Sequence, residues 1–313
     1  MKKLLLIFWL IVPVAGLCQN MRKVEFSSEY NKEKEQWTFY ADNPNFYPVT
    51  MHIEMTSMLN VSSSFGQSAD IVLLGNRRTV CYQLTTDNKT MKASWDRKYT
   101  LYKGNPYAVH NDDISYFLPV SPGKRTIVKN LTSLNKRLKN TENEESLIAY
   151  QFLLEEGDTV FACRKGLVCE IEEDLVEGDD QYISFKRHVN YVLVIQPDQT
   201  FAEYRIFKQG DIFVKPGETV YPGTPLGVAG GGNYTNGYQI RFRVYKPVKG
   251  TEDNSRNSHY WQYFRPKFIF DQGETGQLEY NEEYTCIHPE ELMTTEMSKR
   301  EKKKWLKKKA DGN

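Results

Sequence analysis

The sequence predicts a mostly β protein with two folded units, and three observations carry that expectation. Aromatic residues make up 13% of the 313 residues, with 20 Tyr and 16 Phe beside 20 Gly and 13 Pro, a bias that favours strands and turns over helices. Short β-rich runs alternate with segments such as DNPN, GNP and SPG, the spacing of an antiparallel sandwich. The length suggests about two domains on the usual scale of roughly 150 residues each. With 26% charged and 40% hydrophobic residues, a disordered chain, a collagen and a multi-span membrane protein are excluded.

Residues 1 to 18 read as a leader. Lys2 and Lys3 precede an apolar run that Pro13 interrupts and Ala15, Gly16, Leu17 and Cys18 close, the order of a secretory signal. The run falls short of the ~20 apolar residues a membrane-spanning helix needs. Export to the periplasm, outer membrane or extracellular space is expected, with cleavage after Cys18. A lipid on Cys18 is the competing reading, and Leu17 stands where that processing prefers a small residue.

Residues 19 to 122 are expected to form an immunoglobulin-like antiparallel sandwich. Within 47–58, Val49, Met51, Ile53 and Met55 alternate with Thr50, His52, Glu54 and Thr56, the pattern of a half-buried strand. Further strands are expected at 37–41, 79–85, 99–103 and 116–120. Residues 123 to 148 read as a linker with a short helix, since Leu131, Leu134 and Leu138 stand at near-helical spacing among Lys, Asn and Glu. From 149 to 288 a second β domain is expected, with strands at 159–163, 167–171, 182–185, 191–195, 200–207 and 238–245. Arg164, Lys165 and Gly166 would turn the first two into a hairpin, and KFIF, DQGETG and QLEY would form a β extension after Pro266. Residues 289 to 313 read as a basic helical tail outside the hydrophobic core.

That tail holds eight basic and five acidic side chains, which leaves about −4 on residues 19 to 288. The folded body therefore lacks the basic footprint of a nucleic-acid binder. The tail is expected to be solvated, with an anionic surface such as lipopolysaccharide, phospholipid or wall polymer as its candidate partner. Cys81, Cys163, Cys169 and Cys286 remain after processing. They permit up to two disulfides in three connectivities, or buried thiols, and lack the paired spacing of a zinc module.

Histidines are sparse. His52 reads as a surface residue on the polar side of its strand, His110 as a turn residue within reach of Asp112 or Asp113, and His188, His259 and His288 stand alone. No HxH, HExxH or GxSxG occurs, so neither a zincin nor a serine hydrolase motif is present. Gly230, Gly231 and Gly232 precede an expected strand rather than a helix and lack a following GKS or GKT, which suits a groove-edge loop better than a phosphate loop.

The run VKPGETVYPGTPLGVAG, residues 214 to 230, has the pattern VxxGxxVxxGxxLG. Gly217, Gly223 and Gly227 would supply turns while Val214, Val220 and Leu226 point inward. This pattern resembles the core of the M23, LytM or lysostaphin-like, peptidases, whose exported members cleave peptide cross-links of bacterial walls. AYQF from Ala149, EGDTVFA from Glu156 and GLV from Gly166 are similar to that family's stretch around its aspartate ligand. AEYRIF from Ala202 is similar to its tyrosine and histidine strand, and GYQIRFRVY from Gly237 to its HxH strand. YFLP from Tyr116 and PKFIF from Pro266 add a likeness to exported M23 proteins of the Bacteroidetes type.

The resemblance implies a zinc site, and each implied position carries a side chain unfit for it. The aspartate ligand falls on Gln151, the ligand histidine on Arg241, the general-base histidine on Gln239, and the histidine of the tyrosine strand on Ile206. No histidine stands between His110 and His188, and the shortest family spacing for the remaining ligand lands on Leu147. A guanidinium has no lone pair to donate, and a neutral amide cannot offset a metal's charge. The reading is a degenerate M23-like protein with no cofactor and a vestigial groove floor of Gln151, Ile206, Gln239, Arg241 and Tyr204. It would bind a cell-wall peptide or an envelope protein and regulate wall hydrolysis. The alternatives are a zinc endopeptidase acting on peptidoglycan cross-links and a purely structural envelope protein. Alternation places Gln239, Arg241 and Arg243 on one face and Ile240, Phe242 and Val244 on the other.

Overall fold

The computed structural model describes residues 21–111, 113–131, 148–178, 181–183, 186, 188–249 and 259–311. The leader and the helix expected around Leu134 and Leu138, with Leu147, lie outside the described residues. Strands account for 51% of the residues and helices for 5%, so the fold is mostly β, as the aromatic and turn content implies. The chain divides into two compact units, residues 1–107 with 247–260, and residues 108–246 with 261–313.

The first unit is an antiparallel sandwich. One sheet has the order β1 (Glu25–Asn31), β2 (Gln36–Asn43), β6 (Arg77–Thr86), β4 (Val61–Ser63); the other is β5 (Ser68–Leu73), β3 (Val49–Leu59), β7 (Ser94–Lys103). The expected alternation of β3 holds, with Val49, Met51 and Ile53 at most 1% exposed. Facing aromatic rings join the sheets: Trp37 and Phe39 of β2 lie 4.7 and 6.3 Å from Trp95 of β7. His52 is less idle than expected, because its Nδ1 lies 2.6 Å from the buried carboxylate of Asp70, which also accepts from Tyr107 and Lys249.

The second unit centres on a nine-stranded sheet. Its order is β16 (Thr219–Val220), β12 (Gly166–Glu172), β13 (Tyr191–Ile195), β14 (Phe201–Arg205), β18 (Gln239–Lys249), β10 (Tyr150–Leu153), β9 (Arg125–Asn130), β22 (Glu283–Thr285), with β19 (His259–Phe264) also on β18. Two three-stranded sheets accompany it: β11 (Thr159–Phe161), β17 (Pro225–Ala229), β15 (Phe207–Ile212), and β21 (Glu274–Gly276), β20 (Lys267–Phe270), β8 (Ser115–Phe117). β8 pairs with β20 in parallel, while the neighbours of β18 on either side, β10 and β14, pair with it antiparallel. No barrel closes. Tyr116, Val128, Tyr150, Val194, Tyr204, Phe242, Phe268 and Cys286 meet in one core.

Four local expectations are corrected. Residues 116–120 do not finish the sandwich, because Tyr116, Leu118 and Val120 pack in the core of the second unit. The linker expected from 123 begins as β9, whose Val128 is fully buried. The strand expected over 200–207 is two strands in different sheets, broken at Ile206, whose φ of 79° is costly for a β-branched residue. Of the strand expected at 182–185, Ile183 makes an isolated bridge to Tyr234, and residues 184 and 185 lie outside the described residues.

Arg164, Lys165 and Gly166 do not make a hairpin, since β11 pairs with β17 and β12 with β13 and β16. Arg164 is instead 3% exposed, and a buried guanidinium demands acceptors. Its Nε and Nη2 each donate to Glu296 at 2.9 Å, a bidentate geometry. Its Nη1 donates to Asp198 at 3.0 Å, Gln196 at 3.0 Å and the Tyr116 hydroxyl at 3.2 Å.

The tail is thus anchored rather than merely solvated. It forms α1 (Glu290–Met293) and α2 (Lys299–Asp311). A capping box opens α2: Glu301 N donates to Ser298 Oγ at 3.3 Å and Ser298 N to Glu301 Oε2 at 2.7 Å. Lys165 and the Tyr221 hydroxyl also donate to Glu301, each at 3.0 Å.

The VxxGxxVxxGxxLG run behaves largely as read, with Val214, Val220 and Leu226 buried and Gly217 and Gly223 at φ 94° and 79°. Gly227 is no turn residue; it lies in β17, where a Cβ would come within 2.6 Å of the Asp211 carbonyl oxygen. The four cysteines of the described chain are free thiols.

Arg164→Ala is expected to cost about 3–5 kcal/mol in a denaturant titration, because it strands the Asp198 and Glu296 carboxylates; a change below about 1 kcal/mol contradicts the anchoring. Ser298 and Lys165 hold the Glu301 carboxyl at about 2, below its usual 4.5. A depressed carboxylate stabilises the fold above its unfolded pKa, and that contribution is lost as pH falls through the folded value. Thermal stability is therefore expected to drop between pH 4.5 and 2, less steeply in Glu301→Gln; parallel curves for the two proteins contradict it.

Candidate functional site

The central strand β18 lies between β10 and β14, and its period of two separates core from site. Ile240, Phe242 and Val244 are fully buried in the core. Gln239, Arg241 and Arg243 take the opposite face. Gln151 on β10 stands directly across from Arg241, and Arg205 on β14 faces Arg241 from the other side. Residues 90 positions apart in the chain thus become neighbours in register.

The polar groups on this face engage one another. Arg241 Nε donates to Gln239 Oε1 at 3.2 Å, and its guanidinium lies 5.0 Å from the centre of the Tyr234 ring. Asn236 Nδ2 donates to Gln151 Oε1 at 3.4 Å. Gln151 Nε2 is buried without a hydrogen-bond partner. Burial, with Arg205 adding to it, pulls the Arg241 pKa down to about 10, so the group is still cationic at neutral pH. One row along, the carboxylate of Glu203 receives Arg243 Nε at 2.6 Å and also pairs with Arg205. Burial alone would raise the Glu203 pKa, but Arg243 and Arg205 hold it below the usual carboxylate range.

Of the five residues expected on the groove floor, Gln151, Gln239 and Arg241 share this face. Ile206 joins them from the break between β14 and β15: a Cβ on Gly231 would lie 3.1 Å from Ile206 Cγ2 and 3.4 Å from Gln239 Cγ. Tyr204 does not belong. It pairs with Phe242, lies in the core, and its hydroxyl accepts the Cys163 amide at 2.8 Å. An odd-numbered step along β14 puts it on the opposite face from Arg205 and Glu203.

The floor is covered rather than open, with Gln151 2%, Gln239 0% and Arg241 7% exposed. The cover combines the segment around Glu177 with the loop 230–237. Gly231 N donates to Glu177 Oε1 at 2.7 Å and Asn233 Nδ2 to the Gly178 carbonyl at 3.0 Å. Sequence reasoning missed Tyr234, Asn236, Glu177 and Asn233. Only the triple glycine hinted at them, since nothing in a loop's spacing reveals what it packs on.

The donor set does not fit a catalytic zinc. Two amides and a guanidinium stand where the resemblance implied ligands and base, and among the described residues no group of three or more His, Cys, Asp or Glu side chains is arranged to hold a metal ion. His188 borders a small pocket beside this face, with Glu177, Ile206, Asn233 and Tyr234; His110 and His288 lie elsewhere. His110 Nδ1 lies 3.1 Å from the Asp198 carbonyl oxygen, while Asp112 lies outside the described residues. His288 Nε2 lies 3.4 Å from Cys286 Sγ, but burial pushes that thiol up to about 12 and pulls the imidazole down, the reverse of an activated nucleophile.

No family model matches this chain, and no curated protein matches it. Among solved structures, it is similar to a Ruminococcus gnavus chain provisionally named glycyl-glycine endopeptidase lytM, at 14% identity and a TM-score of 0.30, over 48% of this chain and 57% of that one. The deep-sea M23 metalloprotease Pseudoalterin is similar at 14% identity and a TM-score of 0.27, over 56% and 97% of the two chains. Helicobacter pylori Csd3 is similar at 8% identity and a TM-score of 0.29, over 92% and 84%. These scores mark a limited likeness of fold and carry nothing about activity.

Protein purified from medium containing zinc and dialysed without chelator is expected to hold well under one zinc per chain by elemental analysis. A stoichiometric zinc removed by chelation contradicts the assignment of the donor set.

Proposed function

We propose that the protein is an exported, non-catalytic envelope protein whose polar β18 face binds a carboxylate of a cell-wall peptide or a partner protein, and so influences wall hydrolysis without performing it. The observation that carries this reading is the direct opposition of Gln151 and Arg241, with Gln239 and Asn236 beside them. A guanidinium flanked by amides recognises acceptors. It can chelate a carboxylate bidentately, and it cannot activate a water.

The buried, unpartnered Gln151 Nε2 supports the same chemistry, since an orphaned donor costs about 1–3 kcal/mol and an acceptor on a ligand recovers it. The cover is held by the Glu177 and Asn233 hydrogen bonds, by Asn236 on Gln151 and by Tyr234 on Arg241, and a ligand that reaches the floor must displace it. Location outside the cytoplasm rests on the leader of residues 1–18. Among the described residues no helix is long and apolar enough to cross a membrane.

Arg241→Ala is expected to weaken co-sedimentation with purified sacculi at least tenfold while leaving the far-ultraviolet circular dichroism unchanged. Glu177→Ala, which frees the cover, is expected to tighten it. Equal retention of wild type and both variants, or no retention of any, contradicts the reading.

A further inference from the structure

We propose that the outward face of α2 is a docking surface for an anionic phospholipid membrane. The sequence alone makes this segment a charge run of the kind that is usually just solvated. The structure adds two facts: the helix is anchored, and its one acidic residue within the basic run is partly exposed but paired with Lys165.

The anchoring comes from three contacts. Glu296, two residues before the N-cap Ser298, grips buried Arg164 through two hydrogen bonds of 2.9 Å. Lys165 Nζ donates to the Glu296 carbonyl at 2.9 Å. Glu301 closes the capping box and also receives Lys165 and Tyr221. At about 100° per residue, Glu301 and half-buried Trp305 share the inner side of the helix. Lys299, Arg300, Lys302, Lys303, Lys304 and Lys307 are exposed, and among the described residues none of them forms an ion pair. Leu306, 42% exposed, lies among them. The result is a fixed cationic face with a small apolar centre.

The composition of that face selects its occupant. Five of the six cations are lysines, compact point charges suited to a diffuse anionic surface, whereas bidentate recognition of a particular phosphate favours arginine. Lysine stems can lie along the acyl boundary while their ammonium groups reach headgroups, and Leu306 can enter beside them. Duplex nucleic acid is a poorer match, because the rest of the folded chain is net acidic and would repel a polyanion that extends past the helix. This proposal is independent of the β18 face, whose residues it does not use.

The test is co-sedimentation of the full chain with vesicles of phosphatidylethanolamine and phosphatidylglycerol, against vesicles of phosphatidylcholine alone. Wild type is expected to partition onto the anionic vesicles and to be released by 0.5 M NaCl, where screening is strong. Each basic residue near an anionic surface strengthens partition roughly fivefold. The quadruple variant Lys299→Gln, Lys302→Gln, Lys303→Gln and Lys307→Gln should therefore lose roughly two to three orders of magnitude, with an unchanged thermal transition because all four side chains are exposed. A Lys23→Gln control is expected to bind like wild type. Partition that is equal on both vesicle types, or insensitive to the quadruple substitution, overturns the proposal. So does retention on duplex DNA or lipopolysaccharide without retention on phosphatidylglycerol vesicles.

Discussion

The two-sided alternation of β18 is the constraint on which the second unit depends. A strand flanked by β10 and β14 must send its even-numbered side chains into the core, where Ile240, Phe242 and Val244 are fully buried. The odd-numbered residues then have no choice of face. Gln239, Arg241 and Arg243 are delivered together to the other side, with Gln151, Arg205 and Glu203 in register beside them. A one-residue slip would turn three polar side chains into the apolar core and three apolar ones onto the polar face. The site is therefore fixed by the same hydrophobic pattern that fixes the sheet.

Placing two guanidinium groups directly across from one another, Arg205 against Arg241, is unfavourable in a sheet. Glu203 resolves half of the conflict by holding Arg205 and Arg243, and Tyr234 shields Arg241 with its ring face. The depressed Arg241 pKa records what remains of the conflict, namely burial of charge beside a like charge. This electrostatic arrangement suits an acceptor-bearing ligand. It is also the opposite of what a dication would tolerate.

Much of this was legible in the sequence because periodicity speaks about faces. The alternation at 47–58 and 238–245 follows from a period of two, the inward Val214, Val220 and Leu226 from the glycine-punctuated run, and the convergence of Gln151 with Arg241 was implied by the resemblance alone. What periodicity cannot carry is sheet membership. The segment 200–207 reads as one strand, yet Ile206 adopts a left-handed φ and sends the chain into a second sheet. Tyr204 was assigned to the groove by its motif, although its odd spacing from Arg205 already placed it on the core side. Arg164 looked like a turn residue because its partners, Asp198 and Glu296, come from distant parts of the chain. The capping box of Ser298 and Glu301 was visible in the sequence and was overshadowed by the lysines around it.

The central claim is that the β18 face binds and does not cleave. It is tested most directly by incubating purified sacculi with the protein and added zinc, then separating the muropeptides by chromatography with mass detection. The account predicts a profile identical to that of untreated sacculi, with every cross-linked species intact. Zinc-dependent loss of cross-linked muropeptides, with matching uncrosslinked products, would contradict it.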